Sequence, residues 1–233
     1  MTRRRVPNPL ALAVLGCLTE RPMHPYEISQ TLRSRGKEGS IKLNYGSLYS
    51  VVESLTKHGL VAATKTVREG RRPERTIYEI TAAGMDEYED WLAELLSTPT
   101  REYTSLEAGL SLIAGLPPDE AARLLELRVG RLQMEIRSVD GTNAAAREMG
   151  VPEIFIVESV FRVAMLTAEA DFARRLAADI RSGDLAGTAT WRRLYELRAE
   201  GVSMEEIFAD PVTYLGEEGR VLQQGAPGGP PEA

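Results

Sequence analysis

The sequence predicts a mainly α-helical protein with an N-terminal winged helix–turn–helix domain and a C-terminal domain of long helices. Three short helices, a two-stranded hairpin and a fourth helix are predicted in that order within residues 1–98. Beyond Pro99 the sequence turns strongly helical, which predicts a helical domain over 99–222 and a disordered Gly/Pro-rich tail over 223–233. Residues 1–81 carry 14 Lys+Arg and 7 Asp+Glu, whereas the rest of the chain carries 14 and 27. This split indicates either that the first part meets a polyanion and the second does not, or that charged surface residues are unevenly distributed by chance.

The composition excludes several classes of protein. Hydrophobic residues make up 43% of the 233 residues and charged residues 27%, which is typical of globular proteins. A single cysteine, Cys17, excludes an intramolecular disulfide, and two histidines make a structural zinc site unexpected. The first 18 residues have the charge order of a signal peptide, but two prolines interrupt the apolar stretch and no cleavage site follows. We therefore expect a cytoplasmic protein with no membrane partner, no metal and no cofactor.

Two short helices are predicted at the N-terminus. Asn8-Pro9 is an N-cap followed by proline at the first helical position, and the apolar spacing continues to residue 19. His24-Pro25 repeats this pattern and starts a helix over about 25–35. We therefore interpret His24 as a helix-start residue rather than a ligand, and Cys17 as a core residue rather than a redox thiol.

The third helix, about 45–58, is the candidate recognition helix. Leu48, Val52 and Leu55 are predicted to face inward, and Glu53 is the one acid on the opposite face. A helix that enters the major groove of DNA must avoid carboxylates, and free N–H groups at its N-terminus suit a phosphate. The predicted DNA contacts in and before this helix are Lys42, Asn44, Tyr45, Ser47, Tyr49, Ser50 and Lys57.

A hairpin with a basic tip follows. Its predicted strands are residues 60–68 and 75–80, and Arg68, Arg71, Arg72 and Arg75 lie at or beside the turn between them. Arginines at the tip of a wing suit phosphate contact or insertion into the minor groove, although a solvated turn would also explain them. The N-terminal Arg3–Arg5 run is either a basic arm or a solubilising start.

The C-terminal domain is predicted to dimerise. In a long helix that begins near Pro117, apolar residues recur at spacings of three and four from Ala122 to Val139, as in a coiled coil, and Gly141 is expected to loosen the helix. A second long helix, from Pro152 to about 182, is apolar nearly all round over 154–168, so a partner subunit should help to cover it. The predicted dimerisation residues are Leu125, Val129, Leu132, Ile136, Phe155, Val160, Phe161, Met165 and Phe172.

The remaining helices are shorter. The spacing predicts helices over about 82–97, 103–115 and 189–200, and residues 202–222 add a last short helix. Catalytic motifs with a phosphate loop, a nucleophile elbow or a metal-binding histidine pair are absent from the sequence. The carboxylates occur at helix-surface spacing, so we do not expect an enzyme.

Four segments together carry a family resemblance. In order along the chain they are LALAVLGCL (10–18), HPYEI (24–28), GSLYSVVESLTKHGLV (46–61) and RTIYEITAAG (75–84). Over residues 8–97 this order resembles the PadR family of transcriptional regulators, whose usual forms are GYEI, GTLYPxLxxLExxGLI and YxLTxxG. The chain departs from these forms at Pro25, Ser50 and Thr56, which bear on the operator sequence more than on the fold.

The resemblance implies a dimeric repressor, less often an activator, that binds a palindromic operator in double-stranded DNA and responds to a small aromatic or hydrophobic effector. It places Leu48 in the core and Ser47 and Tyr49 against DNA, while Tyr26 either touches a phosphate or packs beneath the recognition helix. Aromatic residues that would line an effector pocket, or else belong to ordinary core, are Trp91, Tyr103, Phe161 and Trp191. The alternative function is a winged-helix adaptor that binds proteins and not an operator.

Overall fold

The computed structural model describes Val6 and residues 8–41, 44–67 and 75–220, without the side chains of Tyr45, Thr66 and Val67. The chain divides into two compact units, residues 1–102 and 103–233. The division therefore falls shortly after the predicted boundary at residue 98. Several predicted features lie outside the described residues, namely Arg3–Arg5, Lys42, Arg68, Arg71, Arg72 and the tail at 223–233.

The N-terminal unit has the predicted winged helix–turn–helix order. Its elements are α1 (Pro9–Glu20), α2 (Pro25–Ser34), α3 (Tyr45–Lys57), β1 (Val61–Val67), β2 (Arg75–Ile80) and α4 (Ala82–Ser97). Side-chain caps set three of the helix starts: Asn8 accepts a hydrogen bond from Leu10 N at 2.9 Å, Asn44 from Gly46 N at 3.0 Å, and Thr81 from Gly84 N at 3.0 Å. The fold class is confirmed.

One hydrophobic core joins the helices of this unit. α1 contributes Val14, Leu15 and Leu18, and α3 contributes Leu48 and Leu55, all with 2% or less of their surface exposed. Because α1 is covered by α2, α3 and α4, it forms the centre of the unit. Burial of this apolar surface is the main stabilisation available to helices this short.

The wing is an antiparallel pair of strands tied back to the helices. β1 and β2 pair from Val61 opposite Ile80 to Val67 opposite Arg75, with an irregularity between Ala63 and Lys65. The turn before α2 joins this sheet, because Met23 and Tyr78 exchange two backbone hydrogen bonds of 3.0 Å each. The base of the wing is therefore fixed relative to the start of α2.

The C-terminal unit is helical. Its elements are α5 (Ser105–Ser111), α6 (Pro118–Glu148), α7 (Val157–Ser182), α8 (Thr188–Ala199), α9 (Met204–Ala209) and α10 (Pro211–Leu215). Four predictions differ in detail. The helix predicted over 103–115 ends at Ser111 and gives way to a 3-10 turn, and α6 continues through Gly141. The helix predicted from Pro152 begins at Val157 after a 3-10 turn, and two short helices replace the single one predicted over 202–222. Among the described residues, no helix is both long and apolar enough to span a lipid bilayer.

α6 and α7 pack along their length as a helical hairpin. The apolar contact joins Leu125 and Val129 of α6 to Ala173, Ala177 and Ile180 of α7. Small alanines on α7 let the two helices approach closely, and polar contacts hold their register. Those contacts are Arg128–Glu169 at 2.5 Å, Arg162–Glu135 at 2.5 Å, and the hydroxyl of Ser159 donating to Asn143 Oδ1 at 2.5 Å.

Replacement of Gly84 by alanine should destabilise the N-terminal unit. A Cβ at this position would collide with the backbone carbonyl of Leu60 and crowd Ile80, and the backbone cannot move aside cheaply. We expect the free energy of unfolding of Gly84→Ala to fall by about 1–3 kcal/mol, measured by urea denaturation.

Gly141→Ala is the matched control. Gly141 is an exposed position inside α6, and a methyl group added there would meet no atom within 4 Å. Alanine there should stabilise the protein by about 0.5–1 kcal/mol through helix propensity. Equal effects of the two substitutions would contradict the close approach of α4 to Leu60.

Candidate nucleic-acid interface

α3 presents a polar face that carries little acid. Its other side is buried through Leu48, Val51, Val52 and Leu55. On the outer side the exposed side chains are Ser47, Tyr49, Ser50, Glu53, Thr56 and Lys57. Hydroxyl groups can both donate to and accept from base edges, whereas a carboxylate repels the phosphates beside them. The N-terminal half of this face therefore has the chemistry that groove entry requires.

The N-terminus of α3 adds backbone donors to this face. Asn44 caps the helix and is exposed, and the first turn contains no acidic residue. Beside it lies an open depression whose lining is about half polar; it is formed by Val6, Asn8, Asn44, Gly46, Ser47, Ser50, Val51 and Ser54. Asn44 and Ser47 lie at the positive end of the helix dipole, which favours an anion. Asn8 and Ser54 were not among the sequence predictions, because only the fold brings the start of α1 beside α3.

His24 links α2 to the middle of α3. Its Nδ1 accepts a hydrogen bond from Tyr26 N at 3.1 Å, and its backbone N–H donates to Glu27 at 2.8 Å, which completes a capping box. The imidazole ring lies edge-on to the ring of Tyr49, with 6.3 Å between the ring centroids and 72° between the planes. His24 is a helix-start residue, as the sequence indicated, but its contact with Tyr49 had no signal in the sequence.

The surroundings of His24 favour its neutral form. Partial burial lowers the pKa of the His24 imidazole, and the charge of Arg75 on β2 lowers it further, against a smaller opposite effect of Glu27. A neutral ring is also what the cap requires, because a protonated Nδ1 cannot accept the hydrogen bond from Tyr26.

The predicted DNA contacts are placed unevenly. Asn44, Ser47, Tyr49, Ser50 and Lys57 all lie on the exposed side of α3 or at its cap, and Tyr45 is the first residue of the helix. Arg75 is the first residue of β2 and is half-buried. Lys42, Arg68, Arg71 and Arg72 lie outside the described residues.

Tyr26 and Cys17 are two further residues for which the sequence allowed a functional role. Tyr26 is 44% exposed and its hydroxyl accepts from Gln30, so part of the side chain is available at the surface. Cys17 is buried in the core, and burial raises the pKa of its thiol to about 11. The thiol therefore stays protonated and unreactive at neutral pH.

The predicted dimerisation residues separate into two groups. Leu125, Val129 and Leu132 are buried within their own chain, Leu125 and Val129 in the contact with α7, and their part in a contact between protomers stays a prediction. The seam spacing signalled an intrachain helical hairpin, which coiled-coil periodicity does not distinguish from a dimer. Ile136 and Val160 are half-buried. Four large side chains remain exposed at the start and along one side of α7, namely Phe155, Phe161, Met165 and Phe172.

The predicted effector residues differ in burial and in the core that they belong to. Trp91 is a core residue of the N-terminal unit, and Tyr103 and Phe161 are 80% and 66% exposed. Trp191 packs on the α6–α7 core and donates its indole N–H to Leu116 O at 2.9 Å. The C-terminal unit instead contains a cavity of about 420 Å³ between α5 and α6, and none of these four residues lines it. Within the described part of the chain, no cluster of His, Cys, Asp and Glu could hold a metal ion.

The chain is similar in sequence to known regulators. Residues 14–90 match the model of the Transcriptional regulator PadR-like family. The negative transcriptional regulator PadR of Bacillus subtilis (strain 168) is 24% identical over 134 residues, which are 57% of this chain and 72% of that protein.

Two solved structures of Bacillus subtilis PadR share the fold. PadR in complex with operator DNA matches with a TM-score of 0.60 at 17% identity, covering 73% of this chain and 98% of that one. PadR in complex with p-coumaric acid matches with a TM-score of 0.51 at 15% identity, covering 70% and 98%. Coverage of this extent means that the likeness in fold extends beyond the N-terminal unit.

The capping role of His24 predicts a pH-dependent stability. The folded pKa is lowered, so the neutral ring stabilises the fold fully above the ordinary histidine pKa of about 6.5, and this contribution is lost as the pH falls below it. His24→Asn keeps a side-chain oxygen that can cap without titrating. We expect the unfolding free energy of the wild type to fall more than that of His24→Asn between about pH 7.5 and pH 5, measured by urea denaturation at each pH.

His24→Ala supplies the control for the cap itself. It should lose about 1 kcal/mol at pH 7.5, where the wild-type ring is neutral. Parallel pH profiles for the wild type and His24→Asn would contradict the assignment of a titrating cap.

Proposed function

We propose that this chain is a transcriptional regulator of the PadR-like family, and that it acts as a homodimer that represses transcription by binding a palindromic operator. The observation that carries the proposal is the exposed, carboxylate-poor N-terminal half of α3. Two similarities support it: the relative is named a negative regulator, and the Bacillus subtilis structure of like fold holds operator DNA. Members of this family are regulators and not enzymes, and we place the protein in the cytoplasm with the DNA that it would bind.

Recognition divides between the helix and the wing. α3 enters the major groove, where Ser47, Tyr49 and Ser50 meet base edges. The cap at Asn44 and the N–H groups of the first turn contact one phosphate, and Lys42, Tyr45 and Lys57 contact others. On the wing, Arg75 and the arginines of the tip (Arg68, Arg71 and Arg72) contact phosphates or the minor groove. Phosphate contacts supply affinity and α3 supplies sequence preference.

Two copies of α3 are required to read a palindrome. α7 exposes Phe161, Met165 and Phe172 at intervals close to whole helical turns, with Phe155 just before the helix. We assign this apolar stripe, defined by these four residues, to the contact between protomers, because exposed apolar side chains in a row mark interaction surfaces. A palindromic operator requires a twofold dimer whose two recognition helices lie about 34 Å apart, one turn of DNA.

A small hydrophobic effector regulates the dimer. The support is that Bacillus subtilis PadR, of similar fold, has been crystallised with p-coumaric acid. An effector changes operator affinity only if it binds the DNA-competent arrangement of the dimer and the alternative arrangement with different affinities.

Tyr49→Ala tests the recognition helix. Loss of a side chain that reads base edges should weaken operator binding by about tenfold to a hundredfold, measured by gel shift on the duplex selected from the source genome. Tyr103→Ala is the matched control, since it removes an exposed tyrosine of the C-terminal unit. Wild-type affinity should also fall steeply between two salt concentrations. Failure to retain any duplex would favour the adaptor function instead.

Phe161→Glu tests the dimer. A carboxylate in the apolar stripe would be desolvated on association, so the protein should become monomeric at micromolar concentration and lose operator affinity. Phe161→Leu keeps an apolar side chain and should remain dimeric in sedimentation analysis. A Phe161→Glu protein that stays dimeric would show that the stripe is not the contact.

A further inference from the structure

The C-terminal unit contains a cavity that takes no part in the candidate nucleic-acid interface. It has a volume of about 420 Å³ and lies between α5, the 3-10 turn Ile113–Gly115 and the first half of α6. This volume is within the range of small-molecule sites in proteins. The residues that line it are Leu106, Gly109, Leu110, Leu112, Ile113, Leu116, Ala121, Leu124, Leu125, Arg128, Arg131, Leu132 and Glu135.

The walls of the cavity are aliphatic. Leucine, isoleucine and alanine supply the lining side chains from both α5 and the start of α6, and no aromatic ring is among them. Such walls offer no stacking partner for a planar ring. They favour a flexible hydrocarbon body, whose burial is driven by the apolar area removed from water.

The polar end of the cavity carries one uncompensated charge. Three charged residues line it, and two of them are already neutralised by α7: Arg128 pairs with Glu169 at 2.5 Å, and Glu135 pairs with Arg162 at 2.5 Å. Arg131 has no ion-pair or hydrogen-bond partner within the described part of the chain. A guanidinium placed beside an apolar cavity is matched by an anion such as a carboxylate.

We propose that this cavity binds an amphiphilic anion with an aliphatic body, and that this molecule is the effector. The hydrocarbon lies against the leucines of α5 and α6, and the carboxylate pairs with Arg131. The assignment as an effector rests on the proposed function, whereas the binding site rests on the cavity alone. An aliphatic anion replaces the aromatic ligand that the scattered aromatic residues suggested.

The wall of the cavity is connected to α8 by two hydrogen bonds. The carbonyl of Leu116 accepts from the indole of Trp191 at 2.9 Å, and that of Ala114 accepts from the hydroxyl of Tyr195 at 3.1 Å. A ligand that displaces the segment 112–116 therefore changes the environment of Trp191. Tryptophan fluorescence thus reports occupancy independently of DNA.

The experiment uses the full-length protein and dodecanoate as the probe, with affinity measured by calorimetry and by tryptophan fluorescence. Saturable binding is expected, and affinity should rise about fourfold per methylene from octanoate to dodecanoate. Arg131→Gln should weaken dodecanoate binding about three- to fivefold, because an exposed ion pair contributes modestly, and should leave 1-dodecanol binding unchanged.

Gly109→Phe supplies the blocking variant. Gly109 lies in α5 on the wall of the cavity, and nothing occupies the space within 4 Å of its missing side chain. A phenyl group adds bulk at this wall, so dodecanoate binding should be lost while the thermal midpoint and the dimer are retained. Dodecanoate binding that survives Gly109→Phe would overturn the site.

Operator titrations separate this proposal from the proposed function. Dodecanoate should shift the operator affinity of the wild type and not that of Gly109→Phe. Binding with no shift would refute the effector role, and binding by a protein that retains no duplex would refute the proposed function alone. Absence of saturable dodecanoate binding by the wild type would overturn the site. If Gly109→Phe were also monomeric, the cavity would be assigned to a contact with a second copy of the chain.

Discussion

The packing of α3 against α1 is the contact on which the candidate interface depends. A helix of 13 residues has little stability in water by itself, so α3 persists because Leu48, Val52 and Leu55 are buried. Each of these side chains stabilises the unit by about 2 kcal/mol. The same contact fixes the rotation of the helix, and so it decides that Ser47 and Tyr49 point outward. The polar chemistry of the interface is therefore positioned by apolar contacts on its other side.

The charge of the chain follows the same division between its two parts. A net charge of −6 would argue weakly against a nucleic-acid partner if it were spread evenly. Instead the basic excess lies in residues 1–81 with α3 and the wing, and the acidic excess lies in the part that contains the α6–α7 hairpin. Under the proposed function this repels DNA from the helical unit and confines it to the surface that reads it.

Several features could be predicted from the sequence because they depend on neighbours along the chain. Asn8-Pro9 and His24-Pro25 marked two helix starts, and the bounds of α4 were predicted to the residue. Other features depended on distant partners. The apolar spacing of Leu125 and Val129 predicted a buried face, but α7 of the same chain covers it, and the sequence holds no mark that distinguishes this cover from a partner. The aromatic residues were likewise dispersed among separate environments.

The sequence by itself determined the order of the elements in the N-terminal unit, several helix starts and the polar face of the candidate recognition helix, because helix caps and apolar periodicity are local properties. Only the tertiary structure decided that His24 meets Tyr49, that Arg131 lacks a partner among the described residues where Arg128 and Glu135 have theirs, and that the cavity beside it is aliphatic. These are relations between helices, and they arise from the way in which buried faces fit together. Local pattern specifies that a face is apolar, while packing decides which surface it meets.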